Sequence, residues 1–360
     1  MDKSQFFKDL KVVELASVLA GPSVGMFFSE LGAKVVKVEN KNTGGDITRQ
    51  WKLPDENKED PFSAYYHSIN WQKEVMMMDL GDENDQNVVK EICRDADIVI
   101  SNFRVGAAEK LGVGYEQLKQ TNMGLIYASI NAYGDTDPKP GFDVVIQAET
   151  GWVYMNGEPN GNPVKLPVAL MDVLAGHQLK EGVLLALLNK ERTGLGCEVS
   201  VSLFDSGVAS LANQATNWLN LNSIPERLGS RHPNIAPYGD IFLTSDGKAL
   251  IVSTGTTKHW HTLCEILGMP ELITDPDYEL NAARLQNRDA LCHRLAQGFQ
   301  KYTSAELMNI CEKESVPVAQ IRNMKEVFDL PAAQDLILEQ AMEDGSISKR
   351  VKTAIFKLKP

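Results

Sequence analysis

Over its first third the chain alternates short apolar runs with longer amphipathic stretches. "KVVELA", beginning at Lys11, predicts a strand, "AGPSVGMFFSELGA" a turn leading into a helix, and "KVVKVE" a second strand that closes at Glu39. The alternation continues with "EVMMMDL" as a strand, "DENDQNVVKEICRDA" as a helix, and "DIVISNF" and "LIYASINAY" as two further strands. Apolar strands separated by amphipathic helices belong to a parallel sheet covered on both faces. The expected fold is α/β, with a Rossmann-like doubly wound large domain.

From Val173, "VLAGHQLKEGVLLALLNKERTG" has helical periodicity, and "CEVSVSLFDSGVASLANQATNWL" predicts a strand and another helix. The character then changes. Residues 221–240, "LNSIPERLGSRHPNIAPYGD", are polar and rich in Pro and Gly, the composition of a linker or a site loop. "IFLTSDGKALIVST" reads as two strands joined at Asp246-Gly247, a pair that tolerates positive φ. Helices at "KHWHTLCEILG", "NRDALCHRLAQGFQ" and "SAELMNICEKES" complete a second, smaller α+β domain. The tail predicts one more helix over "MKEVFDLPAAQDLILEQAM" and an edge strand at "VKTAIFKLKP".

Composition narrows the function classes. Of 360 residues, 43% are hydrophobic and 23% charged, which is enough apolar chain to fold around more than one core. A net charge of -12 offers no basic field to a nucleic-acid backbone, so nucleic acid is not an expected partner. Cys93, Cys197, Cys264, Cys292 and Cys311 are scattered singly, giving neither a zinc cluster nor a disulfide framework. "MDKSQFFKDL" has no apolar signal core and no run is long enough to span a bilayer, so a cytoplasmic protein with no membrane partner is expected.

Several residues stand out as candidate chemistry. The opening βαβ invites a dinucleotide, with Glu39 as ribose-binding acid, but "LAGPSVG" lacks GxGxxG. Pro22 there supplies a preset helical φ instead. Asp172, between apolar "VALM" and "VLAG", is either a helix cap or an acid held at a core edge, where desolvation tunes it as a base or nucleophile. Asn102 and Arg104 follow a predicted strand at the sheet edge where open α/β folds bind ligands, and only Arg104 carries a fixed charge suited to phosphate or carboxylate. His259 and His261 lie two apart on one predicted helix and share no face, so no metal site is expected.

Taken in order, "KVVELASVLAGPSVGMFFSELGAKVVKVE", "SNFRVGAAEKLGVGYEQL", "GFDVVIQAETG", "PVALMDVLAGHQLKEGVLLAL", "ERTGLGCEVSVSLFDSGVA" and "VPVAQIRNMKEVF" resemble the class III CoA-transferase family, of CaiB/BaiF type. Formyl-CoA:oxalate and carnitine CoA-transferases belong to that family. The resemblance runs nearly end to end.

It implies that Asp172 is a catalytic nucleophile passing through a mixed anhydride and an aspartyl-CoA thioester, with backbone N–H groups at the start of the following helix as oxyanion donors. CoA thioesters are then substrates, with no permanently bound cofactor. Val18, Leu19 and Ala20 would line the CoA site, Asn102 and Arg104 would approach its nucleotide and phosphates, and Lys41 and Lys73 would stand where relatives carry basic residues. His232 and Tyr238, in the polar loop, are the acceptor-site candidates. The resemblance further implies a homodimer, interlocked, with a large CoA-binding domain of residues 1–220 completed by 321–360, and a linker and small domain over 221–320. Racemases of the same fold pair the aspartate with a histidine; here the motif reads Gly141-Phe142-Asp143, and Phe142 cannot move a proton. A racemase-like or lyase-like acyl-CoA enzyme and a non-catalytic CoA-binding protein remain the alternatives.

Overall fold

A computed structural model describes residues 3–342 and 345–359. Six strands form the main sheet: β1 (Lys11–Leu15), β2 (Lys34–Asn40), β3 (Glu74–Met78), β4 (Ile98–Ser101), β5 (Ile126–Asn131) and β6 (Glu198–Ser202). Their order is β3-β2-β1-β4-β5-β6, and every neighbouring pair is parallel.

Strand alternation divides the buried side chains between two faces. Val12, Ile98, Ile100, Ile126 and Ala128 pack with Val24 and Phe28 of the helix Ala20–Glu30 and with Ala175, Leu179 and Val183 of the long helix Leu170–Thr193. Val13, Val99 and Tyr127 pack against Val89 and Cys93 of the helix Glu83–Arg94 on the other face. Helices on both faces explain why the central strands β1 and β4 bury nearly every residue.

Two compact units divide the chain. The first runs to Val153 and includes Lys165–Ile224 and the segment from Gln334 onward; the second comprises Tyr154–Val164 and Pro225–Ala333. In the second unit, β7 (Tyr238–Leu243), β8 (Ala249–Ser253) and β9 (Val318–Gln320) make an antiparallel sheet, over which Trp260, Leu263, Leu291, Leu295 and Phe299 form a separate core. Gly247, at φ 72°, makes the expected turn between β7 and β8. The segment Tyr154–Val164 belongs there because Arg227 donates to the Tyr154 and Gly161 carbonyls and Gly229 N–H to the Gly157 carbonyl.

The tail differs from its sequence pattern. The single helix expected over 324–342 is two short helices, Met324–Phe328 and Pro331–Gln334, followed by β10 (Ile337–Ala341). Pro331 has no N–H to continue the first helix. β10 pairs antiparallel with β11 (Ile347–Val351), so the strand expected from Val351 instead ends there; its last residue, Pro360, lies outside the described residues. Beyond β11 the chain is tied into the first unit: the N–H groups of Thr353 and Ala354 donate to the Glu30 carboxylate. No helix among the described residues is long and apolar enough to cross a membrane.

Candidate active site

The strand order reverses between β1 and β4, and open α/β sheets bind ligands in the crevice beyond such a point. Two adjoining cavities occupy it. One, of ≈ 490 Å³, lies over the ends of β1 and β2 and is lined by Ala16, Glu39, Asp46, Met78 and Leu80 among others. The second, of ≈ 270 Å³, is lined by Val18, Leu19, Ala20, Ile130, Phe142 and Asp172. Ser17, Ile47, Asn102, Phe103 and Arg104 line both. Arg104 is exposed and forms no ion pair among the described residues, so its guanidinium is free for an anion.

Asp172 is only 8% exposed. It lies within the first turn of Leu170–Thr193, not ahead of the helix, and it does not cap it: the N-cap is Ala169, which makes no side-chain bond. Asp143 takes over that work from a distance in sequence. Its Oδ1 accepts the Met171 N–H at 2.8 Å, and its Oδ2 accepts from Gln147 Nε2 at 2.6 Å. Burial, and after it the charge of Asp143, raises the Asp172 carboxyl from 3.8 to about 7. An acid of that basicity, on a cavity wall, is a stronger nucleophile than an ordinary carboxylate and is still ionised in large part near neutrality.

Three of the helix-start N–H groups expected as oxyanion donors are engaged. Leu170 N–H goes to the Val168 carbonyl, Met171 to Asp143 and Val173 to the Ala169 carbonyl. The helix Ala20–Glu30 also begins on the second cavity, where Leu19 supplies no side-chain cap. Pro22 there has no N–H and the Ser23 N–H donates to the Leu19 carbonyl at 2.8 Å, which leaves the N–H groups of Ala20 and Gly21 without an intrahelical partner.

The remaining sequence candidates divide. Val18, Leu19 and Ala20 share the cavity of Asp172. Asn102 lines both cavities, but its amide is committed to the backbone of Ser17, accepting from the N–H at 3.0 Å and donating to the carbonyl at 2.7 Å. Lys41 pairs with Asp85 at 2.6 Å and lines neither cavity. Lys73 is not available to a phosphate at all: its ammonium is fully buried, 2.8 Å from Glu14, and donates to the Pro22 carbonyl. His232 and Tyr238 lie in the second unit, their rings 5.0 Å apart. Glu39 cannot serve a ribose, since its carboxylate accepts from Asp46 N–H, Arg49 Nε and Tyr66 Oη.

Sequence reasoning missed the buried charges behind the site. Glu14 and Lys37 face each other in the β1–β2 register, 2.8 Å apart, and Lys37 also pairs with Asp46 at 3.0 Å. The signal was present: opposite charges inside two strands whose neighbours are Val and Leu have only each other to neutralise them.

The fold and site are those of an open α/β domain with a two-part crevice at the strand reversal, where the Asp172 carboxylate stands on the wall without a hydrogen-bonding partner among the described residues. Comparison with known proteins supplies the family. Residues 7–359 match the family described as CoA-transferase family III. The chain is 36% identical over 354 residues to the succinate–glutarate CoA-transferase of Agrobacterium fabrum, covering 96% of this chain and 88% of that one. It is 33% identical over 352 residues to the human succinyl-CoA:glutarate CoA-transferase, covering 97% and 79%. A crystal structure of a CaiB/BaiF family protein from Brucella suis superposes with a TM-score of 0.83 at 36% identity, covering 97% and 91%. The chain therefore belongs to CoA-transferase family III, of CaiB/BaiF type, whose general reaction is transfer of CoA from an acyl-CoA.

Proposed function

We propose that this protein exchanges CoA between an acyl-CoA and a free small dicarboxylate, with Asp172 as nucleophile. The observation that carries the reading is the buried Asp172 carboxylate on the wall of the crevice lined by Val18, Leu19 and Ala20, where burial raises its pKa. The names of the Agrobacterium and human relatives support a dicarboxylate of the succinate and glutarate class.

In the first step an Asp172 oxygen attacks the thioester carbonyl, and the C–S bond breaks to leave an acyl-aspartyl anhydride and CoA thiolate. The thiolate attacks the aspartyl carbonyl, releasing the donor acid as its carboxylate and leaving an aspartyl-CoA thioester. The acceptor carboxylate attacks that thioester and expels CoA thiolate; the thiolate then attacks the acceptor carbonyl and restores Asp172. An activated carbonyl survives every step, so no ATP is required. The Ala20 and Gly21 N–H groups, at the start of a helix that begins on the same cavity, serve as donors for the oxyanions. Arg104, Val18, Leu19 and Ala20 hold the CoA, while Asn102 acts on it only through Ser17; His232 and Tyr238 stay as acceptor-side proposals. Racemisation has no proton carrier at Phe142, and both Asp143 oxygens are occupied.

The test is incubation with succinyl-CoA or acetyl-CoA and a panel of dicarboxylic and monocarboxylic acids, reading new CoA thioesters by mass spectrometry. A new dicarboxyl-CoA from the parent protein and none from Asp172→Asn is expected. Absence of any new thioester, with deuterium wash-in at the α-carbon of an acyl-CoA, would replace transfer by a proton-transfer reaction.

A further inference from the structure

We infer that Asp46 is a positioning residue for the CoA-transfer site: backed by Lys37, its carboxylate holds Val18 in the left-handed conformation that shapes the cavity wall facing Asp172. The inference rests on the CoA-transfer reading of that cavity.

The turn leaving β1 is gripped residue by residue. Lys37 Nζ donates to the Ala16 carbonyl at 2.8 Å, Asn102 brackets both backbone groups of Ser17, and the Asp46 carboxylate accepts the Val18 N–H at 3.2 Å and 3.4 Å. Val18 has φ 71°. A β-branched side chain is disfavoured there, so the conformation persists only because its surroundings impose it. Asp46 is itself immobilised: Oδ1 accepts from the N–H and hydroxyl of Thr48, its own N–H donates to Glu39, and Lys37 stands 3.0 Å from Oδ2. It is 5% exposed, and Lys37 is fully buried. Burial opposes its ionisation, but Lys37 and the Thr48 bonds more than compensate and hold the carboxyl below its ordinary value. With its oxygens so committed, Asp46 has nothing to offer a ligand although it lines the larger cavity. Its action on the reaction runs through Val18, which lines the cavity of Asp172.

Steady-state thioester exchange by the parent, Asp46→Ala, Val18→Gly and the double variant tests this. Glycine takes positive φ without strain, so the turn in the Val18→Gly variant needs the Asp46 bond less. Asp46→Ala is expected to lower kcat about tenfold with little change in KM for the acyl-CoA, as for loss of one orienting hydrogen bond. In the Val18→Gly background the same change is expected to cost at most about threefold. Asp46→Asn, which keeps an acceptor for Val18, is expected to recover most of the lost kcat. Equal losses in both backgrounds, or unchanged kinetics in folded Asp46→Ala, would overturn the inference while leaving CoA transfer intact. Hydrogen exchange at the Val18 amide decides it without any turnover: slow exchange in the parent, faster by at least about tenfold in Asp46→Ala, supports it. An unprotected Val18 amide in the parent overturns it, whether or not Asp46→Ala folds and whether or not any thioester forms.

Discussion

Burial of Asp172 has two opposite consequences, and both are measurable at the level of the residue. A carboxyl raised to about 7 is basic enough to attack, but it must lose its proton first. The kcat/KM for acyl-CoA is therefore expected to fall as pH drops below about 7, and Asp143→Asn, which removes the neighbouring charge, is expected to move that limb to lower pH. The same shift acts on stability with the reverse sense from an ion-paired acid. Between 3.8 and about 7 the folded protein binds the Asp172 proton and the unfolded chain does not, so stability from this group falls as pH rises through that window. Asp172→Asn cannot ionise. Thermal melts should show it more stable than the parent at pH 8, on the order of 1–4 kcal/mol, with the difference vanishing near pH 4. The same variant should lose thioester exchange by at least roughly 10³-fold, since no side chain replaces a lost nucleophile.

At the scale of elements, the site depends on how closely the long helix approaches the helix Ala20–Glu30. Gly176 lies one turn beyond Asp172, and a Cβ added there would stand 2.5 Å from Ser23 Oγ and 3.3 Å from the Ala20 carbonyl. Ser23 cannot swing away freely, because its hydroxyl donates to that same carbonyl at 2.8 Å. Gly176→Ala should therefore push the two helices apart, destabilising the fold by about 1–3 kcal/mol. Because Ala20 and Asp172 line one cavity, kcat should fall as well, and a melt paired with an exchange assay measures both.

At the scale of the whole molecule, a chain of net charge -12 must bind an anionic thioester through local features. Arg104 is the free cation on the crevice among those expected to hold CoA, whereas Lys41 is paired away from it and Lys73 is buried. Saturating CoA should raise the melting temperature of the parent by several degrees; ligand at about 100 times its Kd contributes roughly 2.7 kcal/mol. Arg104→Ala should shrink that shift markedly and Lys41→Ala should leave it unchanged, which differential scanning fluorimetry can compare directly.

Local pattern carried a large part of this protein. The parallel sheet was legible because short apolar runs such as the Val12-Val13, Val35-Val36 and Ile98-Val99-Ile100 stretches alternate with amphipathic helices; Asp246-Gly247 announced its hairpin because few residue pairs accept that turn. Asp172 stood out because an acid amid "VALM" and "VLAG" has no solvent to justify it. Other features depended on partners remote in sequence. The long helix starts at Leu170 because Asp143 supplies the acceptor that Ala169 lacks, and no local signal reports a cap 28 residues away. Lys73 looks like a phosphate ligand until Glu14 is found beneath it. Val18 looks like an ordinary apolar residue after the first strand until Asp46 and Asn102 are seen to grip its turn. Periodicity and propensity are properties of neighbouring residues, so the chain alone determined the strands of its main sheet, the Asp246-Gly247 turn and the acid Asp172 as a candidate. Ionisation, capping and backbone strain depend on what lies across space, and those only the tertiary structure decided.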